Sequence, residues 1–269
     1  MTASALLSRP AEGVGMITID NPPKNFNTPE LQGKIQSAVD TARQSGCRVV
    51  MLVSDRPGYF IAHFSLQALV DLFGGEMSPR PTGRPMPGPD LYKELEDGPM
   101  VSMAVNNGQA WGGGAELGWS CNLRIAAESA TYGQPEVSLG IIPGAGGTTR
   151  LARLVGPTVA MEMILDGRPI TAQRALDLGL VNRVVPDGLL REVAIEWAAH
   201  IASQPAWALE ACKRSLREGL EMPLADARRN ESLIFREVAT REDAQKLMSD
   251  AQARYNAGAD SFDAIRMEK

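Results

Sequence analysis

Two kinds of hydrophobic pattern alternate along the first part of the chain. Short apolar runs typical of buried strands occur at Val14–Asp20, Val49–Val53 and Met100–Val105. Between the first two, apolar residues recur at helical spacing behind Thr28 and Pro29, a pair that favours a helix start. Strand, helix and strand in this order predict an α/β core.

The later patterns separate a mixed region from a helical one. We predict strands at 59–62, 123–126, 130–133 and 181–185, and helices at 65–73, from about 115, and at 147–155, 158–165 and 171–178. From residue 189 only long helical patterns remain, at about 189–202, 206–219 and 223–256. The predicted domains are therefore an α/β core over 1–200 and a helical C-terminal region over 201–269.

Residues 74–89 interrupt the core region with a segment dense in Pro and Gly. No regular element is compatible with that composition, so we predict a long irregular loop. Two interpretations stay open for it: a surface insertion, or a mobile cover at the entrance of a binding pocket.

Composition and charge exclude several classes of function. The net charge is −5, and the 27 Lys and Arg residues are scattered, which argues against a nucleic acid or an anionic membrane as partner. No apolar run approaches the roughly 20 residues of a membrane span. Three distant cysteines and an N-terminus unlike a signal peptide predict a cytoplasmic protein. With only two histidines, we expect no metal, and carboxylates and backbone amides as the chemical groups of any active site.

The first candidate motif is A-W-G-G-G-A-E-L, residues 110–117. Consecutive glycines let a ligand approach the backbone, and the unpaired N–H groups of a helix start suit a developing oxyanion. Glu116 would lie in the first helical turn and face the same cavity. The alternative is a Gly-rich turn in which Glu116 only complements the helix dipole.

Two further segments carry candidate chemistry. In residues 132–148, Glu136 follows Pro135 within an apolar run, and a carboxyl in such surroundings has a raised pKa suited to acid–base catalysis. A surface turn is the alternative there. In residues 60–66, F-I-A-H-F-S-L, a strand end meets a helix start and offers more unpaired N–H groups. His63 is either a polar group beside that site or a packed structural residue.

Together these segments resemble the crotonase superfamily, the enoyl-CoA hydratase/isomerase family. A-V-N-N-G-Q-A-W-G-G-G-A-E-L (104–117) and the stretch from Tyr132 to Gly156 are similar to the family's two motifs almost residue for residue. The resemblance implies a crotonase-like spiral of ββα units with a C-terminal α-helical oligomerisation region. It implies acyl-CoA as the bound small molecule, no separate cofactor, and a homotrimer or dimer of trimers.

The resemblance also implies roles for individual positions. Glu116 and Glu136 match the two catalytic glutamates of the hydratases, and Gly113 and Phe64 match the two oxyanion-hole amides. The remaining positions matched to substrate or CoA binding are Lys24, Asn25, Phe26, Ala62, Phe64, Ser65 and Leu66. The family's A-G-A-D-[IL] is replaced here by Ala62-His63-Phe64-Ser65-Leu66, which places a Phe side chain at the expected acyl pocket.

The implied reaction is addition of water across the 2,3 double bond of an α,β-unsaturated acyl-CoA. The same fold supports other reactions. A 3-enoyl-CoA to 2-enoyl-CoA isomerase would need only the Glu136 base, and the presence of Glu116 favours the hydratase. A non-catalytic member that binds acyl-CoA or a protein is the third alternative, against which Glu116, Glu136 and Gly113 argue.

Overall fold

The computed structural model describes residues 2–73 and 91–265, so the predicted loop at 74–89 lies outside the described residues. The chain divides into two compact units, residues 1–206 and 207–269. The first unit carries both sheets, and the second consists of helices in its described part.

The first unit is built on a six-stranded mixed sheet. In spatial order its described strands are β1 (Ser4–Ala11), β2 (Val14–Asp20), β3 (Val49–Ser54), β5 (Val101–Asn106), β7 (Leu123–Ala127) and β10 (Arg183–Val185). β1 pairs antiparallel with β2, and every other neighbour is parallel. All residues of β3 and β5 are buried, as expected for parallel strands covered on both faces.

A second mixed sheet of four strands lies beside the first. Its described strands are β4 (Gly58–Ile61), β6 (Gly108–Trp111), β8 (Thr131–Gly133) and β9 (Ile170–Thr171). β3, β5 and β7 are followed along the chain by β4, β6 and β8, so each pair of consecutive strands contributes one strand to each sheet. This arrangement confirms the predicted ββα spiral.

Helices follow the strand pairs along the chain and complete the first unit. In chain order they are α1 (Pro29–Gln44), α2 (Leu66–Phe73), α3 (Leu91–Asp97), α4 (Gly113–Ser120), α5 (Gly147–Val155), α6 (Pro157–Asp166), α7 (Ala172–Asp177) and α8 (Leu190–Ala202), with short 3₁₀ turns at Pro135–Leu139 and Asp187–Leu189. The buried residues of α1 are the periodic apolar positions of the sequence, and Thr28 caps this helix by accepting from Leu31 N–H.

The C-terminal helices are α9 (Ala206–Leu220), α10 (Leu224–Ala239), α11 (Glu242–Asn256) and α12 (Ser261–Ile265). The prediction of one helix over 223–256 is wrong. Thr240 ends α10 with its hydroxyl donating to Arg236 O, and the acidic pair Glu242 and Asp243 begins α11. Acidic side chains favour a new helix N-terminus, so the break is encoded locally.

The sequence patterns do not predict the strands β1, β6 and β9 or the helices α3 and α12, and three of these omissions have a physical reason. β1 is an edge strand that contains Pro10 and shifts its register before Ala11, which hides its alternation. β6 is short and begins with Gly108. α3 follows directly on the Pro-rich segment. In addition, α4 begins at Gly113 rather than near Ala115.

Candidate active site

The loop after β4 presents one unpaired backbone amide. Asn27 N–H donates to His63 O at 2.8 Å, and Ser65 N–H donates to Asn27 O at 2.8 Å. This parallel bridge between Asn27 and Phe64 occupies the peptide groups on both sides of Phe64. Within the described chain, the N–H of Phe64 itself has no acceptor.

The start of α4 presents a second amide beside the first. Gly112 has φ +47°, a conformation that favours glycine, and Gly113 is the first helical residue. As in any helix start, the Gly113 N–H has no acceptor in the helix, and no other described residue accepts it. A Cβ at position 113 would lie 2.8 Å from Phe64 Cβ and 3.2 Å from Phe64 N, so the two N–H groups belong to one small region.

A mainly apolar cavity of about 230 Å³ opens at these amides. Residues from the Phe64 loop, α2, the start of α4 and the 3₁₀ turn at 135–139 surround it. Its lining residues are His63, Phe64, Leu66, Leu69, Gly112, Gly113, Pro135, Glu136, Ser138, Leu139 and Ile141. Phe64 is thus one of the residues that line the cavity, and its role in an acyl pocket stays a prediction.

Glu136 is the carboxyl in the cavity wall. It is only 8% exposed, and this burial raises its pKa to about 7, against a smaller opposing effect of its own backbone N–H. The negative charge of Glu116 raises the pKa of Glu136 further. With its amide nitrogen turned towards Glu136, Gln134 donates to both carboxyl oxygens, at 2.9 Å and 3.1 Å. A carboxyl with this pKa can take up or release a proton near neutral pH.

Glu116 is held in a different way. It lies in the first turn of α4 and is 3% exposed, and its Oε1 accepts from Ala145 N–H at 2.8 Å and Gly147 N–H at 2.7 Å. Burial raises the pKa of Glu116, while these two amides and the charge of Arg150 lower it. Glu116 is not among the residues that line the cavity, so the expectation that it faces the cavity directly is not met in this structure.

The turn matched to CoA binding is divided between exposed and buried groups. Lys24 is exposed, with Nζ 5.6 Å from the centre of the Tyr59 ring, and the Phe26 ring lies 4.8 Å from the His63 ring. Asn25 is fully buried, and its side chain bonds to Asn21, Ser54 and Phe60. The structure therefore leaves no part of Asn25 exposed to a ligand, and its side chain instead fixes the shape of the turn.

The other matched positions surround Phe64. Ala62 is fully buried, and its carbonyl accepts from Trp111 N–H at 3.1 Å, which joins β4 to β6 below the site. The Ser65 hydroxyl accepts from Ala68 N–H at the start of α2, and Leu66 lines the cavity. His63 Nδ1 lies 2.7 Å from Phe64 O, so the ring contacts the loop as well as the cavity.

Several groups that contact the two glutamates have no role that the sequence alone indicates. Gln134 and the amides of Ala145 and Gly147 lie inside the quoted motif, and their contacts with Glu116 or Glu136 appear only in three dimensions. The Gly-Ala-Gly-Gly run at 144–147 was the available signal, because it offers backbone amides without side chains. A Cβ at Gly147 would lie 3.0 Å from Glu116 Oε1.

The described residues contain no group of three or more His, Cys, Asp or Glu side chains placed to hold a metal ion. Over the same residues, no helix is both long and apolar enough to cross a membrane.

Comparison with known proteins identifies the family. The model of the enoyl-CoA hydratase/isomerase family matches residues 9–255. A probable mitochondrial enoyl-CoA hydratase 2 of Arabidopsis thaliana is 34% identical over 88% of this chain and 78% of its own length. The 2,3-dehydroadipyl-CoA hydratase of Escherichia coli K12 is 40% identical over 60% of this chain and 63% of its own length.

The fold comparison agrees with the sequence comparison. The crystal structure of an enoyl-CoA hydratase from Bacillus anthracis superposes with a TM-score of 0.83, at 31% identity, over 93% of this chain and 96% of that one. With two mixed sheets, C-terminal helices and a family match over most of its length, this chain belongs to the enoyl-CoA hydratase/isomerase family and has the crotonase fold.

Proposed function

We propose that this protein is an enoyl-CoA hydratase, which adds water across the 2,3 double bond of an α,β-unsaturated acyl-CoA thioester. The observation that carries the proposal is the pairing of two buried carboxyls, Glu116 and Glu136, with two unpaired amides, of Phe64 and Gly113. Relatives named as enoyl-CoA hydratases support the same reaction.

The proposed reaction begins with the thioester carbonyl between the two amides. Water attacks Cβ and forms a C–O bond, while the electrons of the double bond move to the carbonyl oxygen. The N–H groups of Phe64 and Gly113 stabilise the resulting negative charge, and loss of one such donor typically costs about 3–4 kcal/mol of transition-state stabilisation. The acyl chain would occupy the apolar cavity beside them.

The two carboxyls divide the proton transfers. We assign the base for the attacking water to Glu116, because two backbone N–H groups and Arg150 favour its ionised form against the larger, opposite effect of burial. Glu136, with a pKa of about 7, holds a proton part of the time and can deliver it to Cα. Because each charge affects the other, the two groups titrate as a pair.

One specific observation keeps isomerisation as a second candidate. Glu136 lines the cavity and Glu116 does not. A single carboxyl in contact with the acyl chain suffices to move a proton between Cα and Cγ, which converts a 3-enoyl-CoA into a 2-enoyl-CoA. The non-catalytic alternative predicts neither activity.

Turnover on a panel of acyl-CoA substrates tests the proposal. Hydration is followed as loss of the ultraviolet absorbance of the conjugated 2-enoyl thioester, and isomerisation of a 3-enoyl-CoA as its gain. Deuterium from solvent should enter at Cα during hydration. Isomerisation without hydration would replace the proposal by the second candidate, and binding without turnover would favour the non-catalytic alternative. Varying the acyl chain then ranks the substrates.

A further inference from the structure

Helix α3 lies behind the site and is fixed to the core on its other side. Leu91 and Leu95 are 0% and 1% exposed and form its buried face. Its C-terminal end is held by two side chains: the Ser102 hydroxyl donates to Leu95 O, and Asn122 Nδ2 donates to Glu96 O at 3.0 Å. A helix anchored in this way can serve as a rigid support for the groups around it.

Glu96 of α3 connects, through Arg150, with the loop that holds Glu116. Arg150 donates from Nε and Nη2 to Glu96 Oε2, at 3.1 Å and 2.7 Å, and from Nη1 to Ala145 O at 2.9 Å. The pair is largely shielded, with side-chain exposures of 20% for Arg150 and 15% for Glu96. Ala145 is one of the two residues whose N–H groups bind Glu116. The guanidinium that Glu96 holds thus binds the carbonyl of the same residue, in the peptide group next to the N–H that binds Glu116.

Tyr92, one turn before Glu96, connects with the opposite side of the site. Its hydroxyl accepts from Asn27 Nδ2 at 3.1 Å and from Gln32 Nε2 at 3.3 Å. Asn27 Nδ2 also donates to Gly113 O at 3.3 Å, and the Asn27 backbone forms the bridge that directs the Phe64 amide. Asn27 thus touches both segments that supply the unpaired amides, and Tyr92 restrains its side chain.

We infer that Tyr92 and Glu96 are positioning residues of this active site: Tyr92 acts through Asn27 on the two oxyanion amides, and Glu96 acts through Arg150 on the amides that hold Glu116. Neither residue lines the cavity, so neither is expected to touch the substrate. Helix α3 thereby supports both the two oxyanion amides and the amides that hold Glu116. Only the expected effects on kcat and its pH profile rest on the proposed function.

The two residues should leave different signatures. Glu96→Gln weakens the hold on Arg150, and loosening of the Ala145 and Gly147 amides raises the pKa of Glu116, because both amides and Arg150 lower it now. The charged or titratable groups facing Glu116 are Arg150 from α5, Glu136 from the 3₁₀ turn and Tyr92 from α3. A base with a raised pKa moves the acidic limb of the kcat–pH profile to higher pH. Tyr92→Phe leaves the Glu116 amides in place and should lower kcat without that movement.

The experiment compares Glu96→Gln with Glu94→Gln, the same substitution two residues earlier on the same helix. Glu94 pairs with Arg43 at 3.4 Å, whereas the hydrogen bonds of Arg150 within the described part of the chain go to Glu96 and Ala145. We expect Glu96→Gln to lower kcat about 10–100-fold, as misplacement of a catalytic group does, with KM changed less than about twofold. The acidic limb should move upward, and Glu94→Gln should behave as the wild type. Equal profiles for the two variants would overturn the inference.

Amide hydrogen exchange separates this inference from the proposed function. If the wild-type protein hydrates no 2-enoyl-CoA, the proposed function fails, yet Glu96→Gln should still speed exchange at Ala145 and Gly147 relative to Glu94→Gln. Unchanged exchange at these two amides would contradict the role of Glu96 whatever the reaction. Should Glu96→Gln not fold, Arg150→Lys, which keeps the charge and loses the planar fork, is measured in the same way.

Discussion

A Cβ atom at position 112 would lie 2.6 Å from Glu136 Oε1, so the absence of a side chain at Gly112 leaves the space that the Glu136 carboxyl occupies. Gly112 is also the residue whose positive φ, +47°, turns the chain from β6 into α4. One glycine therefore places the Gly113 amide and accommodates the carboxyl opposite it.

Replacing Gly112 by Ala should damage both functions of that position. The sparsely populated conformation of Gly112, φ +47° and ψ −126°, costs an L-residue about 1–3 kcal/mol, and the added methyl group displaces the Glu136 carboxyl. We expect kcat to fall at least about 10-fold, since small displacements of a catalytic group are costly. Gly118→Ala in the same helix is the control, because its Cβ would meet neighbours only at 3.8 Å and 3.9 Å. Similar kcat values for the two variants would show that the space beside Glu136 is not critical.

Ionised Glu136 should destabilise the folded protein. Burial raises its pKa from the ordinary 4.5 to about 7, so the folded chain binds its proton more tightly than the unfolded chain does. Stability is therefore lost as the pH rises from about 4.5 to about 7, by at most about 3 kcal/mol. Glu136→Gln cannot ionise, and its unfolding midpoint should exceed that of the wild type at about pH 8 and approach it towards about pH 5.

Urea unfolding followed by circular dichroism at several pH values measures this difference. The same substitution at the exposed Glu162 controls for the loss of one negative charge. A difference between Glu136→Gln and wild type that does not change with pH would mean that Glu136 titrates no differently in the folded and unfolded chains.

The local motifs contain the candidate catalytic residues but not the contacts that support them. Gly113, Glu116 and Glu136 lie in two short segments of the sequence, and the structure brings these segments close together. The contacts of Arg150 with Glu96 and of Tyr92 with Asn27 join residues 54 and 65 positions apart. No periodicity or spacing links such pairs, because the fold alone brings them together.

The start of α4 illustrates a second limit. Three glycines disfavour a helix, so the pattern placed its beginning near Ala115. In the structure Gly113 and Gly114 are already helical. Glycine is needed at position 114 because a Cβ there would collide with the Ile61 carbonyl of the neighbouring strand. Close packing between α4 and β4 thus overrides local propensity, and the requirement for glycine appears only with the neighbouring strand in place.

The C-terminal helices should mediate assembly into a trimer or a dimer of trimers. On these helices Ile234 is buried in the single chain, while four leucines are 65–72% exposed: Leu216, Leu220, Leu224 and Leu233. Exposed apolar surface of this kind is typical of subunit contacts.

Sedimentation should give a trimer or hexamer at micromolar concentration, and Leu220→Glu should shift the protein towards monomer. Leu6→Glu, at a 67% exposed position of β1, is the matched control. A monomeric wild-type protein would refute the assembly.

Glu116 and Glu136 should act as a pair, with neither sufficient for hydration. Replacing either by Gln keeps its size and removes proton transfer, so each variant should lose about 10²–10⁴-fold in kcat. The double variant should lose less than the product of the two, because the groups serve one water and one proton transfer. Acyl-CoA affinity should hardly change, and Glu162→Gln is the control.

If Glu116→Gln hydrates normally, Glu116 is only a carboxyl at a helix start and the hydratase assignment fails. If Glu116→Gln loses hydration but still isomerises a 3-enoyl-CoA, Glu136 alone is the base for that reaction, because moving a proton from Cα to Cγ requires one carboxyl and no activated water.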